Sequence, residues 1–432
     1  MSKYNPRPKQ KEVLSFRNGY MGVAAVPGSG KTWTLSVLAS ELITGGYLEE
    51  EQEVLIVTLV NSAVDNFSRR VGEFIEDKGL FPQVGYRVRT LHGLAHDIVR
   101  ERPDLAGLSN AFQIIDERSA DAIRKDVSMA WLKGHPYDLD EYLSPDLESN
   151  ESKTEWVRRD QFPDLVSRIA SSFIRYSKDM ELTPERVRSR LEEIPIPLPS
   201  AEMGLEIYTG YQRALAYRDA VDFDDLIRLA LAAIRIDPQF LERLRLRWPY
   251  ILEDEAQDSS LLQENILREL AGPEGNWVRV GDPNQAIFET FTTADPRHLR
   301  EFISEEAGLP RQLPNSGRST QSIINLANYL IDWTTHEHPR EDVRDALGPP
   351  PIEATPPGDP QPNPADDPSK IRLIGNGYSP EEELSMVSES VLRWIGENPD
   401  KTVAILVPTN FLGFQLVDLF RNNGIEPIDS LL

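Results

Sequence analysis

The chain has no cysteine. This excludes disulfides, cysteine-ligated zinc, iron–sulfur clusters and thiol nucleophiles, and makes a reducing cytoplasm the expected setting. Long apolar runs are also missing. Segments such as Val54–Val60 are far too short to span a bilayer, and the polar start Met1–Lys11, with Pro6 and Pro8, has no apolar stretch for a signal peptide. Neither secretion nor contact with a membrane is expected. Positive charge is scarce, with 46 Lys and Arg against 70 Asp and Glu and a net charge of −24. The chain as a whole is therefore no polybasic coat for an anionic polymer, and any such contact must be local. What remains is 432 residues with 40% apolar side chains, enough for about three structural units of ordinary globular protein.

Short β-branched runs occur at Met21–Val26, Val54–Val60, Tyr86–Thr90, Tyr250–Glu253, Trp277–Val280, Ile371–Ile374 and Val403–Val407. Most precede a helical pattern, which predicts an α/β fold around a parallel sheet. From about Ala95 to Tyr217 the strand-like runs vanish. Patterns of period 3.6 at Ser119–Leu132, Trp156–Tyr176 and Met203–Tyr217 predict a helical insertion instead. Nine prolines fall within Pro349–Pro368, which reads as an extended linker or loop.

The first run leads into Ala25-Val26-Pro27-Gly28-Ser29-Gly30-Lys31-Thr32 and then into a helical pattern, the context a P-loop requires. Its small residues let backbone N–H groups wrap a phosphate at a helix N-terminus. Lys31 would neutralise β/γ oxygens and the Thr32 hydroxyl would ligate Mg²⁺. The run Tyr250–Asp258 contains Glu253-Asp254-Glu255-Ala256-Gln257-Asp258. Alone, such an acidic run reads as a solvated turn. Paired with a P-loop, Asp254 is placed to hold the metal and Glu255 to take a proton from water. His92 and His96 have the spacing of a zinc pair but no third ligand. Asp222, Asp224 and Asp225 precede a helical pattern at Leu226–Ile234 and read as caps.

Further segments stand in a fixed order around these two. Gln10 lies just upstream of the loop. Thr58-Leu59-Val60-Asn61-Ser62-Ala63 and Thr90-Leu91-His92-Gly93-Leu94-Ala95-His96 follow it, then Val221–Leu226, Asp254–Asp258, Gly281–Phe288 and Leu313–Ser319. The series resembles the Q motif and motifs I, Ia, Ib, II, III and IV of the UvrD/Rep/PcrA group of superfamily 1 DNA helicases. The resemblance implies two RecA-like lobes, with the first, ATP-binding lobe at 1–92 and 204–311, a helical insertion at 93–203, and a partial second lobe at 312–432. It implies ATP and Mg²⁺ as ligands, with Gln10 reading the adenine edge, Gln285 sensing the γ-phosphate and Arg318 reaching it from the second lobe. It also implies contacts to single-stranded DNA by Thr58, Asn61, Thr90, His92 and Phe288. The expected function is an ATP-dependent helicase or translocase motor segment. The alternative from another class is a nucleotide-dependent binding module or an inactive fragment lacking the second half of the motor.

Two departures qualify the resemblance. Leu59 and Ser62 stand where the group usually has an aromatic residue and a lysine, and Thr290 stands where it has a tryptophan, so base stacking worth about 1–3 kcal/mol per platform is lost. Motifs V and VI have no counterpart, so a second chain or a further region is expected to carry them.

Overall fold

In the computed structural model, residues 5–138, 151–285 and 294–425 are described. The chain divides into two compact units, Met1–Asp366 and Asp367–Leu432.

The first unit is built on strands β1 (Tyr20–Ala25), β2 (Val54–Thr58), β3 (Tyr86–Thr90), β4 (Gln113–Ile114), β5 (Ala220–Val221), β6 (Tyr250–Asp254), β7 (Asn276–Gly281), β8 (Leu309–Leu313), β9 (Asn315–Ser316) and β10 (Glu353–Ala354). Six form one parallel sheet in the order β3-β2-β6-β7-β1-β8. The central strands read as unbroken apolar runs because both of their faces are covered. Val54 and Ile56 of β2 face the helices Pro8–Leu14, Lys31–Thr44 and Asn61–Glu76. Leu55 and Val57, one residue out of phase, face Leu91–Glu101, Phe223–Ile236, Pro238–Arg247 and Leu261–Ala271. Strand β8 lies at an edge, where the exposed Pro310 and Gln312 are tolerated.

Helices Glu117–Gly134, Phe162–Asp179 and Pro199–Tyr217 share a third core of Ala120, Val166, Ala170, Ile174, Ile207, Tyr208 and Tyr211. This is the helical region expected from the 3.6-residue patterning. Leu91–Glu101, expected at its start, instead buries Leu94, Ile98 and Val99 in the core of the main sheet. Fully buried Lys178 joins the helical region to the sheet, with its Nζ 2.5 Å from Asp222 and 2.8 Å from Asp225. Asp222 also caps Phe223–Ile236, its carboxylate accepting from the Asp225 N–H at 2.8 Å.

The expected boundary at 311/312 falls inside the first unit. Leu309–Leu313 pairs with Met21–Ala25, and β9 pairs with β10 from within the proline-rich segment. That segment is tied down at Asn363, whose Nδ2 donates to the carbonyls of Ser316 at 2.6 Å and Ser319 at 2.8 Å. Of the two expected readings it is the loop, an ordered strap, and not the linker.

The described part of the second unit contains helices Pro380–Glu397 and Asn410–Asn422. The strands expected at 371–374 and 403–407 are not formed, and Leu373 and Leu406 are exposed. A parallel strand exists only through its neighbours' hydrogen bonds, and β-propensity alone supplies none. Among the described residues no helix is long and apolar enough to cross a membrane.

Candidate active site

Parallel strands end on the same side of a sheet, so the segments after β1, β2, β3, β6, β7 and β8 gather along one edge. After β1 the chain turns through Gly28 (φ 77°) and Gly30 (φ 84°), left-handed values that favour glycine, and helix Lys31–Thr44 begins at once. Close approach demands glycine at position 28 as well. A Cβ there would lie 2.6 Å from Arg318 Cβ and 2.7 Å from Ser316 Oγ.

Two carboxylates meet this loop. The Thr32 hydroxyl donates to Asp254 Oδ2 at 3.0 Å, and Lys31 Nζ lies 2.8 Å from Glu255 Oε2. Glu255 adopts φ 57°, an uncommon backbone for a residue with a side chain, of the kind that collects at functional sites. Asp254 is buried, and its Oδ1 has no hydrogen-bond partner among the described residues. Burial, together with the Glu255 charge, pushes its carboxyl up to about 7 against the opposing pull of Lys31 and Thr32.

Gln257 ties the segments after β6 and β7 together. Its Nε2 donates to Glu255 Oε2 at 3.1 Å and to Asp258 Oδ2 at 2.9 Å, and its Oε1 accepts from the Asp282 N–H at 3.0 Å. The Asp282 carbonyl in turn accepts from the Gln285 N–H at 3.1 Å. Burial, then Glu255, pushes the Asp258 carboxyl up to about 6.

These elements enclose a cleft of about 1010 Å³ lined by Gln10, Pro27, Gly28, Gly30, Lys31, Thr32, Glu255, Gln285 and Arg318. The structure therefore brings together most of the nucleotide-site residues expected from the sequence. Gln10 donates from Nε2 to the Ser29 carbonyl at 3.1 Å and accepts from the Arg7 N–H at 2.9 Å. Arg318 reaches the cleft from the chain just beyond β8, within the same unit as the P-loop rather than from a separate lobe. Trp33, Asn66, Arg69, Arg70 and Phe74 also line the cleft. Sequence reasoning missed them. Asn66, Arg69, Arg70 and Phe74 recur at helical spacing on Asn61–Glu76, whereas Trp33 comes from the separate helix Lys31–Thr44 and no sequence signal links it to them.

The residues expected to touch DNA lie farther along the sheet edge. Thr58 and Thr90 are register partners at the ends of β2 and β3. Thr58 is buried, Asn61 opens the helix Asn61–Glu76, and the Thr90 hydroxyl accepts from the Gly93 N–H as a helix cap at 3.1 Å. His92 packs edge-on against Phe223 at 5.2 Å, and burial lowers its pKa. Phe288 lies outside the described residues.

Residues 7–306 match the family described as UvrD/REP helicase N-terminal domain. DNA helicase II of Salmonella typhimurium is 28% identical over 327 residues, 75% of this chain and 40% of that protein. DNA helicase II of Escherichia coli is 28% identical over 325 residues, 75% of this chain and 40% of that protein. The ATP-dependent DNA helicase PcrA of Staphylococcus epidermidis is 26% identical over 345 residues, 78% of this chain and 41% of that protein. The chain thus spans about two fifths of the length of the curated relatives it matches.

Proposed function

The chain belongs to the UvrD/REP helicase family, and from that membership and the cleft geometry we propose that it binds and hydrolyses ATP as part of a motor that moves on single-stranded DNA. The observation that carries the proposal is the convergence of Lys31, Thr32, Asp254 and Glu255 at one loop, with contacts of 2.8 and 3.0 Å. A nucleoside triphosphate entering the cleft would compete with Glu255 for Lys31. Each phosphate oxygen that Lys31 takes over releases the Glu255 carboxylate to accept a proton from the attacking water. Gln257 holds Glu255 through the exchange and, through the Asp282 N–H, keeps Gln285 in register with it. Thr32 and the unpartnered Asp254 Oδ1 are the groups that would hold Mg²⁺, whose chemistry is to neutralise charge on the β- and γ-phosphates. Arg318, lining the same cleft, supplies a second cation for the transferring phosphoryl group. Single-stranded DNA is assigned to the edge formed by Thr58, Asn61, Thr90 and His92.

Calorimetric titration with Mg·ATP tests the assignment. Removing a charge-assisted contact with Lys31→Ala should weaken affinity by roughly 10- to 100-fold without changing the melting temperature. Equal affinity in two equally folded proteins would overturn it.

A further inference from the structure

Arg7 stands three residues before Gln10 and Asp359 lies in the proline-rich strap, 352 residues away, yet their side chains form a two-pronged ion pair. Nε donates to Oδ2 at 2.7 Å and Nη2 to Oδ1 at 3.2 Å, with both side chains almost completely buried. The same guanidinium donates from Nη1 to the carbonyls of Ser29 at 3.4 Å and Asn315 at 2.9 Å. One cation therefore grips the P-loop, the segment after β8 and the strap together.

The three segments are stacked with no room between them. A Cβ at Gly28 would strike Arg318 and Ser316, and a Cβ at Gly317 would lie 2.4 Å from the Gln361 carbonyl. Asp359, Pro360 and Gln361 also line the cleft that holds Lys31 and Thr32. Asp359 turns the strap at this point, its Oδ1 accepting from the Gln361 N–H at 2.9 Å. On the far side, Asn363 Oδ1 accepts from the Thr355 N–H at 2.8 Å and from its hydroxyl at 2.9 Å. The turn is thus anchored at its base by uncharged hydrogen bonds and at its tip by the ion pair, beside the close packing of Gln361 on Gly317. Arg7 holds the Asp359 carboxyl below the ordinary carboxylate range, so the pair is charged at neutral pH.

We infer that Asp359–Gln361 is a gate on the cleft, latched by Arg7, that sets how fast a nucleoside triphosphate enters and leaves. The inference rests on reading the cleft as the nucleotide site. A gate differs from an ordinary wall contact in its kinetics, because it slows entry and exit alike while changing the equilibrium little.

Stopped-flow mixing of the full chain with Mg²⁺ and a fluorescent methylanthraniloyl-ATP separates the two. In Asp359→Ala, association and dissociation should both quicken by about tenfold while Kd stays within about threefold. Amide exchange over 355–363 should quicken in parallel. Arg7→Lys keeps the charge but loses the fork, and its rates should fall between the two. Unchanged rates, unchanged exchange, or faster dissociation alone would each overturn the gate. A wild-type chain that binds no nucleotide would sink the reading of the cleft and the gate with it. Binding with Asp359→Ala rates equal to wild type sinks the gate alone.

Discussion

Replacing Arg279 with methionine should destabilise the first unit more than any change at its surface. Arg279 is wholly buried on β7. Its Nε donates to Glu253 Oε2 at 2.8 Å, and its Nη1 makes an ion contact with Glu264 Oε2 at 2.7 Å. It also lies 4.8 Å from the ring centre of Trp277 and 4.9 Å from that of Phe302. Methionine fills much of the volume but leaves the buried Glu253 carboxylate without its cation and Glu264 with Arg268 alone. Stranding buried charge in this way costs about 3–5 kcal/mol, and the lost cation–π contacts add about 1 kcal/mol. Thermal unfolding at pH 8 should therefore show a melting temperature lower by roughly 5–10 °C. Burial already raises the Glu253 pKa, whereas Arg279 is the strongest influence lowering that of Glu264 against its burial. Without the cation both carboxyls take up protons more readily in the folded state, so the deficit should shrink as the pH is lowered. The triple variant Glu253→Leu, Glu264→Leu, Arg279→Met should recover most of the loss, because a well-packed apolar set can replace a buried ion cluster. A single substitution costing less than about 1 kcal/mol, or a triple variant no better than the single one, would refute the reasoning. The position also bears on the chemistry, since Glu253 adjoins Asp254 and Arg279 lies two residues before Gly281.

Two further outcomes are expected. Glu255→Gln should bind Mg·ATP at least as well as wild type but lose about 10²-fold or more in single-turnover hydrolysis, measured in a protein that hydrolyses ATP, because the amide cannot take the proton. The Asp258 carboxyl, raised from 3.8 to about 6, keeps its proton to higher pH in the folded chain than in the unfolded one. Its contribution to stability therefore declines as pH rises from about 4 to 6 and stays low above that. Asp258→Asn should accordingly raise stability at pH 8 by about 1 kcal/mol, solvent screening reducing the full effect of the shift, with the gain vanishing by about pH 4. Paired melting curves at the two pH values check this.

The β1–loop–helix unit was legible because strand, turn and helix signals are contiguous and each has its own residue chemistry. Asp254 and Glu255 were legible for the same reason, sitting at the end of an apolar run. What escaped was set by distant pairing. Nothing near Asp359 announces Arg7, and the prolines around it suggested a linker or loop where hydrogen bonds from Asn363 fix a strap. Glu253 and Arg279 lie inside strands recognised by their apolar neighbours, so that their pairing across β6 and β7 needs the sheet order to be known. Ile371–Ile374 and Val403–Val407 show the converse, with strand-like composition and no strand.

The sheet order also bears on how the chain is made. Strand β1 is translated long before its neighbours β7 and β8, which end at Gly281 and Leu313. At about 5–20 residues per second, the roughly 290 residues between Tyr20 and Leu313 take on the order of 15–60 s to emerge. For most of that interval, until β7 is made, both edges of the P-loop strand are without their native partners, while the helices from Glu117 to Tyr217, with a core of their own, can already close. The segment that will cradle phosphate is therefore exposed longest on the ribosome, where unpaired strand edges invite aggregation and chaperone capture.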